Sequence, residues 1–78
     1  MADYLHVKAD GKQHWIIWEG SDGTLAHLTA GGGSSYEVLS ARAKAANRQL
    51  RVDKTAWERM VAADAAPEEV PDDVSIVG

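Results

Sequence analysis

Tyr4-Leu-His-Val-Lys-Ala-Asp-Gly-Lys-Gln-His-Trp-Ile-Ile-Trp18 decides the fold of this chain. Two alternating segments flank Asp10-Gly11, a dipeptide suited to the positive φ angles of a type I′ turn, so the stretch reads as a β-hairpin. With Asp10 and Gly11 as the loop, Ala9 faces Lys12, Val7 faces His14 and Leu5 faces Ile16. Tyr4 then faces Ile17, His6 faces Trp15 and Lys8 faces Gln13 on the other side. Leu5, Val7, Ile16 and Trp18 form the apolar inner face. Tyr4, His6, Trp15 and Ile17 leave much apolar surface on the outer face, which a second layer or a partner must cover.

Working outward, Gly20-Ser-Asp-Gly23 marks a turn and Thr24–Thr29 a third strand. Three strands with one apolar face are the minimum for an independent sheet. Ala30-Gly-Gly-Gly33 is a linker, after which the period changes. Ser34 and Glu37 have capping-box spacing, and Tyr36, Leu39, Ala43, Ala46 and Leu50 recur as a helical stripe, predicting a helix over 34–50. Its small residues suit close packing on the Leu5/Val7/Ile16/Trp18 face. Asp53 caps a second predicted helix over 54–65, with Trp57, Met60 and Val61 inward. Arg51 and Val52 alone remain between the helices, as a tight corner. Pro67 and Pro71 end the helical pattern, Glu68–Asp73 reads as an exposed linker, and Val74–Val77 as a disordered end in preference to an edge strand.

The expected fold is α+β: an antiparallel three-stranded β-meander followed by two α-helices packed on one face, with residues 1–66 as the single domain and 67–78 as an acidic tail. A chain of 78 residues buries only about 60% of its unfolded surface, so the stability margin is thin. No cysteine is present to form a disulfide or a thiolate metal site. No run reaches membrane-spanning length and the opening residues lack signal-peptide order, so the expected location is cytoplasmic and no membrane partner is expected. Charge is segregated within a net −4. Residues 34–63 set Arg42, Lys44, Arg48, Arg51, Lys54 and Arg59 against Glu37, Asp53 and Glu58, whereas residues 64–78 hold Asp64, Glu68, Glu69, Asp72 and Asp73 with no base.

No catalytic or metal motif stands out. His6 and His14 occupy opposite faces of the hairpin, and His27 lies on the third strand, so no ligand spacing results. Ser34, Ser35, Thr24, His27 and Asp22 supply the atom types of nucleophilic catalysis without an arrangement. Gly31–Gly33 ahead of a helix start lacks the Gly-Lys-Ser/Thr of a phosphate loop. The expectation is no enzyme, no metal and no cofactor.

Two binding readings remain. Across residues 46–60, Leu50, Val52, Trp57 and Met60 have the apolar spacing of a helix-turn-helix, with Arg48, Arg51, Lys54, Thr55 and Arg59 as the nucleic-acid contacts and Glu58 beside them. The corner carries Arg51 where glycine is usual, Asn47 replaces the expected small residue, and the acidic balance opposes a polyanion. The preferred reading is a non-enzymatic protein-binding module. Its contacts are Tyr4, His6, Trp15 and Ile17 with the carboxylates Asp64, Glu68, Glu69, Asp72 and Asp73, while Trp18 and Trp57 fill the core. The partner expected is a protein or nucleoprotein complex, as for a small phage- or mobile-element-type regulator or inhibitor docking on a nucleic-acid-handling complex, its carboxylates standing in for phosphates. A homodimer through the Tyr4/Trp15/Ile17 face is the third reading.

Overall fold

A computed structural model describes residues 3–20, 25–30 and 35–78, with 25–30 described by backbone. The chain forms β1 (Tyr4–Asp10), β2 (Gln13–Glu19), β3 (Leu25–Ala30), α1 (Tyr36–Ala45), β4 (Gln49–Asp53), α2 (Lys54–Ala62) and β5 (Val74–Val77). The α+β class agrees with the sequence reading. The sheet is larger than expected: five strands in the order β3-β2-β1-β4-β5, antiparallel across β1–β2 and β2–β3, parallel across β1–β4 and β4–β5. The meander therefore makes three of the five strands of a mixed sheet, and β1 is the central strand. Third-strand pairing includes a register shift between Ile16 and Ile17. The turn expected at 20–23 and the glycine linker lie largely outside the described residues.

Alternation assigns the faces. Leu5, Val7, Ile16, Leu50, Val52 and Val74 join Leu39 and Ala43 of α1 and Ala56, Trp57 and Met60 of α2 in one buried core. Both helices therefore cover the same side of the sheet, as their alanines allow. Ala56 is fully buried and Ala43 nearly so, and a methyl at each position lets helix and sheet approach closely.

The hairpin register differs from expectation by two residues. Val7 pairs with Ile16, Leu5 with Trp18, His6 with Ile17 and Asp10 with Gln13, leaving Gly11-Lys12 as the loop. Gly11 has φ +58 and Lys12 is not left-handed, the φ pattern of a type II′ turn. This turn demands positive φ at one centre, which glycine supplies, whereas the I′ alternative would put Asp10 there as well. A shift of two keeps every side chain on its face, so the inner and outer sets survive the error.

The tight corner between helices is replaced by a strand. Leu50 and Val52 alternate with Gln49, Arg51 and Asp53, and β4 inserts beside β1 with Leu5 against Leu50 and Val7 against Val52. Residues 46–60 are thus a helix end, a strand and a helix, not a helix-turn-helix. The first helix stops at Ala45 because Asn47 takes φ 56: its N–H bonds Lys44 O at 3.0 Å, and Arg48 N–H bonds Ala43 O at 2.8 Å. That pair of bonds is a Schellman motif. The second helix ends the same way, with Asp64 at φ 60 donating to Val61 O and Ala65 to Met60 O. At the start of α1 the cap is Ser35, whose Oγ accepts from Val38 N at 3.4 Å. Glu37 is therefore one place early for the expected capping box. Asp53 precedes α2 but makes no side-chain cap bond.

Residues 67–78 are not a detached tail. Val74–Val77 pair in parallel with Leu50–Asp53, and Val74 enters the core at 8% exposure. Alternation explains it: Val74 and Ile76 face inward, so the segment buries apolar area that a free end would expose.

Candidate surface on the helix-free sheet face

The side of the sheet away from the helices carries Tyr4, His6, Lys8 and Asp10 from β1, Trp15, Ile17 and Glu19 from β2, and Gln49, Arg51 and Asp53 from β4. No described helix lies over it. At its centre His6 is 8% exposed, with Nδ1 3.0 Å from Glu19 Oε1 and Nε2 2.7 Å from Asp53 Oδ1. Carboxylates only accept, so a doubly protonated ring donates to both while a neutral ring donates to one. The other Asp53 oxygen accepts from Ala9 N–H at 3.1 Å, just beyond the last β1–β4 pair. This explains the missing helix cap: the Asp53 side chain is turned across β1 instead of into α2.

Arg51 extends the cluster. Its guanidinium lies 3.4 Å from Glu19 Oε1 and 3.7 Å from the centre of the Tyr4 ring. Tyr4, Arg51, Glu19, His6 and Asp53 form one connected network across three strands. Each position follows from strand alternation, since Glu19, His6 and Arg51 project to one side. Trp15 Nε1–H donates to Asp10 Oδ2 at 3.1 Å on the same face. Ile17 is only 6% exposed, although no described helix covers it. Ile17 is thus shielded by the side chains around it, while Tyr4 and Trp15 stand half-buried. Among the described residues, the large apolar side chains that stand exposed are Val38, Val70 and Val77.

The expected partner surface divides in two. Tyr4, His6, Trp15 and Ile17 do share the helix-free face. The five carboxylates instead follow α2 along the helical layer. Asp64 is the left-handed residue that ends α2. Asp73 Oδ1 accepts from Tyr36 Oη and Oδ2 from Ser40 Oγ, both at 2.6 Å. Glu68, Glu69 and Asp72 are exposed. The hydrogen bonds from Ser40 and then Tyr36 hold the Asp73 carboxyl below its usual range, and the same carboxylate pushes the Tyr36 phenol up.

The alternative nucleic-acid residues are likewise divided. Lys54, Thr55 and Arg59 are exposed on α2, Arg51 is on the helix-free face, and Arg48 lies against Trp18 at 5.1 Å and Asp3 at 3.7 Å. They do not compose one groove-reading surface. Of the nucleophile set, Ser35 is a helix cap and His27 pairs in register with Ile17; Asp22, Thr24 and Ser34 lie outside the described residues. Among the described residues no three His, Asp or Glu side chains are placed to hold a metal ion, since Glu19 and Asp53 meet opposite nitrogens of the His6 ring, and no helix is long and apolar enough to cross a membrane. His14 faces the inner side; its Nε2 is buried without a hydrogen-bond partner among the described residues, and burial, then the Arg59 charge, push its pKa down.

Sequence reasoning missed Glu19 and Asp53 as members of the face. Hairpin alternation is signal enough to place Glu19 there, whereas Asp53 reads locally as a helix cap and joins the face only because β4 is a strand. No protein-family model, curated protein or solved structure matches this chain.

Proposed function

We propose that the chain is a non-enzymatic protein-binding module that docks through its helix-free sheet face. The observation that carries this reading is the Tyr4–Arg51–Glu19–His6–Asp53 network, which fixes long side chains in place on a face covered by no described helix. Side chains ordered before contact lose less entropy on binding, and Tyr4 and Trp15 combine large area with a polar end. A protein suits this face better than a polyphosphate. Asp10, Glu19 and Asp53 stand beside Lys8 and Arg51, and the guanidinium is already held by Glu19 and Tyr4. The narrower form, a regulator or inhibitor of phage or mobile-element type docking on a nucleic-acid-handling complex, draws on the exposed Glu68, Glu69 and Asp72. It stands or falls with the partner's identity.

The test is capture of partners by the full chain, by Trp15→Glu on the proposed face, and by Arg42→Glu on the helical layer. A protein retained by wild type and Arg42→Glu but lost by Trp15→Glu supports the reading. A partner lost only by Arg42→Glu, or duplex DNA released by salt and indifferent to Trp15, would overturn it. Sedimentation of the purified chain separates the homodimer, whose mass would fall on Trp15→Glu.

A further inference from the structure

We propose that residues 67–77 form a strap that opens and closes as a unit, with Asp73 as its clasp on α1. The strap has a firm hinge. Ala65 donates to Met60 O and accepts from Tyr36 N–H at 2.9 Å, and Ala65 and Ala66 pack against the core. Beyond that anchor Pro67, Glu68, Glu69 and Val70 are exposed, and the two prolines withhold backbone donors. The strap then returns through one side chain. Tyr36 and Ser40 both donate to the Asp73 carboxylate, joining the strap to two turns of α1 immediately before β5 begins.

Past the clasp, the chain is lightly held. β5 is four residues long, pairs with β4 alone, and contributes to the core Val74 and the half-buried Ile76. The central strand β1, by contrast, pairs on both sides and contributes two side chains that are at most 1% exposed. Segments with few buried contacts open at lower free energy than the whole fold. Opening at Asp73 lifts β5, bares the outer edge of β4 and vacates the places of Val74 and Ile76. Sheet pairing alone would let β5 fray residue by residue; the two-hydroxyl clasp makes its release one event.

Native-state hydrogen exchange on the full chain tests this. In wild type, β5 amides paired with β4 exchange at least a hundredfold faster than those of Leu5 and Val7. Asp73→Ala accelerates the β5 amides a further tenfold or more, leaving Leu5 and Val7 unchanged. Tyr36→Phe and Ser40→Ala each remove one bond, give smaller accelerations of the same amides, and serve if Asp73→Ala does not fold. Exchange of β5 and β1 at one common rate in wild type would overturn the proposal. So would variants that move every amide together or leave β5 unmoved.

Discussion

His6 shows how one side chain organises a surface. Its two ring nitrogens meet carboxylates from β2 and from the end of β4, so its removal takes one partner from each, leaving Glu19 with Arg51 and Asp53 with the Ala9 N–H. His6→Ala is expected to lower stability by about 1–3 kcal/mol, the range for losing charged hydrogen bonds at a partly solvated site. Urea unfolding measures it, and a change within the error of the extrapolation would show that the carboxylates find water instead. A second residue-scale effect is the pH dependence. Asp73 has its folded-state pKa depressed by Ser40 and Tyr36, so its contribution is complete above the ordinary carboxylate value and lost as pH falls through the folded value. His14 is also depressed, by burial and then Arg59; its share is complete above about 6.5 and lost as pH falls through its lower folded value. His14→Gln should therefore flatten stability on the mildly acidic side, and Asp73→Asn at stronger acid. Tyr36 runs the other way: its raised phenol contributes fully below its ordinary value and loses that share in alkali. Stability curves of wild type and the two variants against pH check the signs.

At the scale of elements, both helices stop where a polar residue takes the left-handed conformation usually given to glycine. Asn47→Val should cost about 1–2 kcal/mol through Cβ crowding, while Asn47→Gly should leave stability unchanged or slightly raised. Thermal melts of the pair distinguish the backbone cause from a lost side-chain contact. These stops also show what was legible. The hairpin, the third strand and the two helices follow from local period, whereas the hairpin loop and the α1 cap each sit one place from where turn and capping chemistry put them. Leu50 misleads because it continues the Ala43/Ala46 stripe four residues on, which leaves Val52 in a corner, whereas their spacing of two is the period of a strand. Asn47 was the available signal, since a residue tolerant of positive φ after a run of alanines marks a helix stop. Val74–Val77 could not be placed locally: four residues become a strand only when β4 offers an edge, and β4 itself looks like a corner until it pairs with β1.

For the molecule as a whole, the two layers make opposite demands on tryptophan. Trp57 is 5% exposed and meets Tyr36 edge-on at 5.8 Å, so Trp57→Ala should cost about 3–5 kcal/mol and leave a chain of this size barely folded. Trp15→Glu should spare the core and act on binding; circular dichroism beside the capture experiment separates the two. The outer-face members Tyr4, His6, Trp15 and Ile17 were legible because a two-residue register error preserves faces. The network that joins Tyr4 and His6 to Arg51 and Asp53 was not, because it spans strands β1 and β4, whose partnership is parallel and distant in sequence.

The strand order has a consequence during synthesis. β1 is made before every other element, yet it ends at the centre of the sheet with β4 on one side. While residues 49–53 are still inside the ribosome, the emerged meander presents one unpaired edge of β1 and the uncovered side chains of Leu5, Val7 and Ile16. A nascent chain at that length is a natural client for holding chaperones, and a pause after the meander has emerged but before residues 49–53 follow it would lengthen its exposure to aggregation.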